Sequence, residues 1–271
     1  KATAISKYLK ERIERNNFKG TIEIVPNGAD LKTFNESYSD TDLESLKSEL
    51  GIKKNEKVIV TTSRLVEKNA VEDIILSLKL LPKKYKLLIL GTGHLLYKLQ
   101  NIAEEEGLNG RISFLGFIDR KEIPKYLRLS DVFVRPSLSE GLGISFIEAM
   151  AAGIPVIATP VGGIPDFLKD RETGLFCEVK NPKSIAEKIK LLEKDSELKE
   201  GIIIKARELS KSYGWDLIAK KMNEVFEKTS LIERRVVIVT GDSGGPATYS
   251  KILNKRLVEW GFKTKMLSFA E

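Results

Sequence analysis

Short runs of Val, Ile and Leu alternate along the chain with stretches whose apolar residues recur at helical spacing. The run "KVIVTT" at residues 57–62 is followed by "AVEDIILSLKLL", then "YKLLIL", "LLYKLQNIAEEE" and "RISFLG". The rhythm continues through "DVFVRP", "SFIEAMAAG", "PVIAT" and "GLFCEV". Uninterrupted apolar runs of this length predict strands covered on both faces, which is the habit of a parallel sheet. The alternation therefore predicts one α/β unit of Rossmann-like type between Lys57 and Val179, a parallel sheet with helices on both sides. Three more helices are expected over 182–194, 196–210 and 215–228.

Upstream, "SKYLKERIERN" has helical spacing, "IEIV" reads as a short strand, and "PNGADLKTF" reads as a turn-rich linker. In "TDLESLKSELG", Leu43, Leu46 and Leu50 share one helix face, and Gly51 is placed as its C-terminal cap. The "DTD" at Asp40 to Asp42 imitates an Asp-x-Asp metal site. It opens a helix, where Asp and Thr serve as caps, so no metal site is expected there.

Composition fits a globular chain: of 271 residues, 42% are hydrophobic and 31% charged. The net charge of +7 raises nucleic acid as a partner. The basic residues alternate with acids, as in "KIKLLEKDSELKE", and no basic run is interleaved with aromatics, so solvated helix faces account for them. The longest uncharged run, Ala149 to Pro165, contains three prolines and three glycines and falls short of the roughly 20 apolar residues of a membrane helix. The single cysteine, Cys177, is read as a small apolar residue on a strand and fits a reducing compartment. A cytoplasmic location is expected, with peripheral attachment at the inner face of the membrane as the alternative for a full-length protein.

The candidate chemistry lies in "RPSLSEGLGISFIEAMAAGIPVIATPVGGIP". Glu140 falls in a glycine-rich loop after the strand "DVFVRP", and "GLGIS" opens the helix that carries Glu148. Unpaired N–H groups at such a helix start carry partial positive charge and suit phosphate. Glu148, one turn into the helix, can chelate a vicinal diol such as ribose, and Glu140 can hydrogen-bond a sugar. Both would repel phosphate, so cations are expected nearby. "SRLVEK", in the loop after "KVIVTT", supplies them as Arg64 and Lys68. Ligands of open α/β sheets bind at C-terminal strand ends, where both motifs fall.

These motifs resemble the retaining nucleotide-sugar glycosyltransferases of glycosyltransferase family 4, which have the two-lobed GT-B fold. The similarity runs from about Thr21 to Lys228. It includes "IVPNGADLKTF", "SRLVEK", "LGFIDRKEIPKYLRLSDVFVRPS", the Glu140 to Glu148 pair with "EAMAAGIPVIAT", and "YGWDLIAKKMNEVFE". The resemblance implies that Arg64 and Lys68 meet the donor diphosphate, Glu140 the transferred sugar and Glu148 the ribose hydroxyls. It implies that the backbone of Gly141, Leu142, Gly143, Ile144 and Ser145 holds phosphate or sugar, and that the backbone near Phe117 and Ile118 meets the base. Ser63 and Asn69 depart from it, standing where glycines are common. The implied reaction is loss of a nucleoside diphosphate from the anomeric carbon through an oxocarbenium-like transition state, with retention and without metal or cofactor. The implied partners are a nucleotide-sugar donor and an acceptor that is a sugar, a lipid-linked sugar or a protein.

The implied acceptor lobe, with its catalytic histidine, precedes the linker. Residues 1–35 are then expected to be the end of such a lobe and the linker, and 36–228 the donor domain. Residues 229–271, read as strand, glycine-rich turn, helix and strand, become the incomplete start of a second acceptor-type lobe. The chain is expected to be a fragment of a longer, tandem enzyme, with a circularly permuted enzyme as the alternative, and inactive by itself.

The string "GDSGGP" at 241–246 also surrounds the nucleophile of trypsin-like proteases. A serine hydrolase needs a base, and the lone histidine, His94, lies in a strand-to-helix turn. Ser243 is thus expected to be an unreactive turn residue, with Gly244 and Gly245 in the first loop of that βα unit. A non-catalytic nucleotide-sugar-binding module fits the same donor-site residues.

Overall fold

The computed structural model describes the backbone of residues 1–228, 235–241, 244–259 and 263–269. The chain divides into two compact units, Lys1–Ala219 and Lys220–Glu271.

The first unit opens with a parallel pair, β1 (Ala2–Ala4) and β2 (Ile22–Ile24), joined through α1 (Lys7–Arg15). One-turn α2 (Leu31–Phe34) and α3 (Asp40–Glu49) follow. The main body is β3 (Lys57–Thr62), α4 (Val71–Ser77), β4 (Tyr85–Leu90), α5 (Leu96–Glu105), β5 (Ile112–Gly116), α6 (Ile123–Arg128), β6 (Val132–Arg135), α7 (Ile144–Ala152), β7 (Val156–Ala158) and β8 (Leu175–Phe176). It continues into α8 (Pro182–Lys194), α9 (Ser196–Ser210) and α10 (Trp215–Glu227), within which the first unit ends.

All six strands of the main sheet are parallel, in the order β5-β4-β3-β6-β7-β8. Chain order therefore reverses between β3 and β6, the doubly wound arrangement in which ligands sit at the switch point. The pleat divides each strand's apolar residues between two cores. Val58, Val60, Leu88, Leu90, Phe133 and Val156 face one core with α7 and Phe34 of α2. Ile59, Leu87, Ile89, Val132, Val134 and Ile157 face the other with α4, α5 and α8. A continuous apolar run is what two covered faces require.

Local chemistry sets the helix ends. Ser39 accepts from the amide of Asp42 to start α3, and Gly51, at φ 66°, follows its C-cap Leu50. Asn181 caps α8 ahead of Pro182, and Asp195 caps α9. The aspartates of "DTD" sit in the first turn of α3, and among the described residues no group of three or more His, Cys, Asp or Glu is placed to hold a metal ion.

The segment read as a linker is more ordered than a run of turns: Asp30 accepts from the amide and hydroxyl of Thr33 to start α2, and Phe34 is fully buried. The amide of Ala29 donates to the Tyr213 carbonyl, which ties this segment to the approach to α10. Cys177 is buried as expected but follows β8 rather than lying in it.

The second unit holds the end of α10, β9 (Arg235–Gly241), α11 (Gly244–Glu259) and β10 (Lys263–Phe269), with β9 and β10 parallel. Helix α11 begins at Gly244, so Gly244 and Gly245 belong to its first turn and not to the preceding loop. Ser243 lies outside the described residues. Among the described residues, no helix is long and apolar enough to cross a membrane.

Candidate functional site

The C-terminal ends of β3 and β6 lie side by side at the switch point, and the loops that leave them are stitched together. The amide of Leu138, after β6, donates to the Lys68 carbonyl, after β3, at 2.7 Å. Asn69 is buried in the β3 loop, and its Nδ2 donates to the Arg64 carbonyl at 2.7 Å. The Arg64 and Lys68 side chains are exposed, and neither enters an ion pair or a side-chain hydrogen bond among the described residues. Two cations with no ion-pair partner among the described residues therefore flank the mouth of the switch point.

Arg135 ends β6 and turns into this region. Its Nη1 donates to Ser145 Oγ at 2.7 Å, and its Nη2 donates to Asn69 Oδ1 at 3.0 Å and to Glu140 Oε2 at 2.5 Å. The guanidinium lies 5.2 Å from the centre of the Phe146 ring. Burial pulls the Arg135 pKa down, the Glu140 carboxylate holds it up and the Arg64 charge opposes it; a guanidinium stays protonated throughout.

Glu140 is held twice more, since its Oε1 accepts from the Gly141 amide at 3.0 Å and its carbonyl from the Gly163 amide at 3.0 Å. Helix α7 then starts from Gly143, at φ 87°, where any side chain would be strained. No side chain caps it. Its first amides are left facing outward with the positive end of the helix dipole, beside Glu140 and Ser145.

Glu148 lies one turn into α7 with 12% of its side chain exposed. Arg120, from the loop after β5, donates Nη2 to its Oε1 at 2.7 Å, and the Arg120 guanidinium sits 5.9 Å from the Phe34 ring. Burial pushes the Glu148 carboxyl up, Arg120 pulls it down, and Asp30 adds a further push upward. Arg135 also favours the carboxylate, but burial outweighs both guanidinium groups and the net shift is upward.

The expected residues converge. Arg64, Lys68, Glu140, Gly141 to Ser145 and Glu148 line adjoining loops and one helix start. Leu142 is buried beneath that loop. Phe117 is 78% exposed and Ile118 packs partly against the core; both lie in the β5 loop that Arg120 anchors to α7. His94 is exposed and contacts Glu67 at 3.0 Å, as a rim pair.

Sequence reasoning missed Arg135, Asn69 and Arg120 as site members. Arg135 carried a legible signal: a charge ending a strand of three buried apolar residues demands a partner. Arg120, in "DRKE", is indistinguishable in sequence from a solvated charge.

The chain is 30% identical over 228 residues to an uncharacterized glycosyltransferase of Methanocaldococcus jannaschii, covering 82% of this chain and 58% of that protein. It is 31% identical to the N-acetyl-alpha-D-glucosaminyl L-malate synthase of Bacillus anthracis, covering 69% of this chain and 51% of the relative. The chain thus spans little more than half the length of these curated relatives. Among solved structures, Anabaena HepE in complex with UDP and glucose superposes with a TM-score of 0.77 at 22% identity, over 83% of this chain and 62% of that one, which shows the fold. The C-terminal domain of a Francisella tularensis group 1 glycosyl transferase is matched over its whole length and 69% of this chain, with a TM-score of 0.59 and 28% identity. The main sheet is the Rossmann-like α/β fold of GT-B glycosyltransferases. The family of glycosyl transferases group 1 matches residues 42–209, well over half of the chain, and the chain belongs to that family.

Proposed function

We propose that residues 36–228 form the donor-binding lobe of a retaining, family 4 type glycosyltransferase that uses a nucleoside-diphosphate sugar. The unpaired Arg64 and Lys68, set beside the uncapped start of α7, carry this reading. They supply positive charge where a diphosphate would lie, and charge-assisted bonds of this kind contribute about 1.5–3 kcal/mol each. Glu148 would take the ribose hydroxyls with the carboxylate oxygen that Arg120 leaves free, and Glu140 the transferred sugar. The backbone at Phe117 and Ile118 would meet the base. HepE has been solved with UDP and with UDP-glucose, which supports a donor of this class.

In the reaction, the bond between the anomeric carbon and the β-phosphate oxygen breaks, and the acceptor oxygen bonds to the same face of the sugar. The acceptor's proton leaves with the diphosphate. Negative charge builds on the leaving phosphate, where Arg64, Lys68 and the helix dipole are already in place, so no metal is needed to neutralise it. Glu140 and Glu148 come from one loop and its following helix, and we do not assign them as a hydrolytic pair, which would have to flank the glycosidic bond.

Titration calorimetry with UDP, GDP and pyrophosphate tests these assignments. Arg64→Ala is expected to weaken all ligands that bind the parent, by about tenfold or more. Glu148→Ala is expected to weaken the nucleotide while leaving pyrophosphate within about twofold, because ribose alone is lost. Equal losses for nucleotide and pyrophosphate in Glu148→Ala would contradict the ribose assignment.

A further inference from the structure

Arg135 has no part in the donor contacts assigned above, yet it is the hub of the site. Only 11% of its side chain is exposed, and three partners from three segments converge on it: Asn69 from the β3 loop, Glu140 from the β6 loop and Ser145 from α7. Of its five N–H groups, both on Nη2 and one on Nη1 are used, and Nε is buried without a partner. Phe146 lies against the guanidinium face. Asn69, which stands where a glycine is common in the resembled family, is the residue that links Arg135 to the backbone of Arg64.

We infer that Arg135 is a positioning residue of the donor site, aligning the Glu140 carboxylate with the β3 loop and the start of α7 before donor arrives. This rests on the assignment of Glu140 to the sugar and Arg64 to the diphosphate. Arg135 itself is too enclosed, with three of its five N–H groups committed and Nε buried, to act as a phosphate ligand. Its effect passes through Glu140, whose two oxygens each spend one bond on the protein, to Arg135 and to the Gly141 amide, and keep further lone pairs for sugar hydroxyls. A carboxylate held this way loses little freedom when sugar binds, which is the advantage of preorganisation. Lysine replaces it only in part, because a point charge lacks the planar fork and the flat face that Phe146 covers.

The discriminating measurement is the ratio of affinities for a sugar nucleotide and its bare diphosphate. The full chain is titrated with UDP and UDP-glucose, and with GDP and GDP-mannose, and the pair that the parent binds is followed. Arg135→Met is expected to lose about tenfold for the sugar nucleotide and less than about threefold for the diphosphate. Glu140→Gln is expected to show the same selective loss, and Arg135→Met/Glu140→Gln no more than either single change, since the two act in series. Arg135→Lys is expected to fall between Met and the parent.

Should Arg135→Met fail to fold because Glu140 is stranded without its counter-charge, the double variant strands no charge and carries the test. It must then match Glu140→Gln. Equal losses for diphosphate and sugar nucleotide, or additive losses in the double variant, would overturn the inference and leave Arg135 a structural staple. A parent that binds no nucleotide, or an Arg64→Ala variant that binds it unchanged, would refute the site assignment itself and Arg135's role with it.

Discussion

Glu148, proposed above to take the ribose hydroxyls, sits where burial opposes its charge. Its carboxyl is driven up by burial, with Arg120 as the main opposing charge. A carboxyl raised in the folded state adds stability that is fully present below its unfolded value near 4.3, and that stability is lost as pH rises through the folded value. Above that folded value the ionised side chain is therefore a burden on the fold. Glu148→Gln keeps an oxygen for Arg120 and removes the buried charge. It is expected to raise Tm at pH 7–8 by about 2–4 °C, the shift that about 1 kcal/mol produces in a domain of this size. The gain is expected to shrink toward pH 4, while nucleotide affinity falls at pH 7–8. Thermal unfolding across pH checks this, and a Tm lower at pH 8 than in the parent would show that the Arg120 ion pair outweighs desolvation. At this scale the sequence singles out the groups proposed to meet a ligand but not those that hold them. Glu140 and Glu148 are conspicuous in a glycine-rich setting, whereas Arg120 reaches Glu148 from a loop 28 residues upstream, a pairing with no spacing to read, and Arg135, five residues before Glu140, shows only as a charge at a strand end.

Among the elements, the strands were legible and the loop geometry was not. Strand β3 announces itself because both its faces are buried, so every residue from Val58 to Thr61 must suit a dry environment. The αβ alternation then fixes parallel pairing, since each crossover returns the chain to the same end of the sheet. Helix α2 was hidden because one turn cannot show a period; its single buried residue, Phe34, is anchored by tertiary packing. The position of Gly162 could not be inferred either. At φ 57° it lets the 161–163 loop lie directly on the site, and a Cβ there would come 1.9 Å from the Glu140 carbonyl oxygen. Gly107 has a similar φ of 65° but faces open space. Gly107→Ala is accordingly expected to cost only about 1 kcal/mol of stability, from backbone strain. Gly162→Ala must also displace the Glu140 loop, and is expected to cost about 2 kcal/mol or more together with about tenfold in sugar-nucleotide affinity. Denaturant unfolding and calorimetry on both variants make the comparison. Matching losses in the two would mean that strain alone, and not contact with the site loop, governs Gly162.

For the molecule as a whole, the groups proposed to meet the donor lie together in one unit, whereas transfer needs two substrates within near-attack distance in a site that excludes water. Arg64, Lys68, the α7 start, Glu140 and Glu148 all belong to one lobe of the sheet, and each is positioned by groups of that same lobe. Nucleotide binding is therefore expected to be a property of this chain by itself. The acceptor is a different matter, because the chain covers only 51–60% of the length of the curated relatives it matches, and we propose that the acceptor face comes from sequence beyond the matched part. The chain alone is expected to saturate with nucleotide and to release no diphosphate above the rate of donor hydrolysis, whichever sugar, lipid-linked sugar or protein is offered. Joining it to the acceptor lobe of a relative's length, in one polypeptide, is expected to raise release by several orders of magnitude, since effective molarities for oriented reactants reach roughly 10⁵ M and above. A coupled assay for free nucleoside diphosphate, run on both proteins with one donor and acceptor panel, reads the difference. Acceptor-dependent turnover by residues 1–271 alone would place the acceptor within this chain, and the division of labour between two lobes would have to be abandoned.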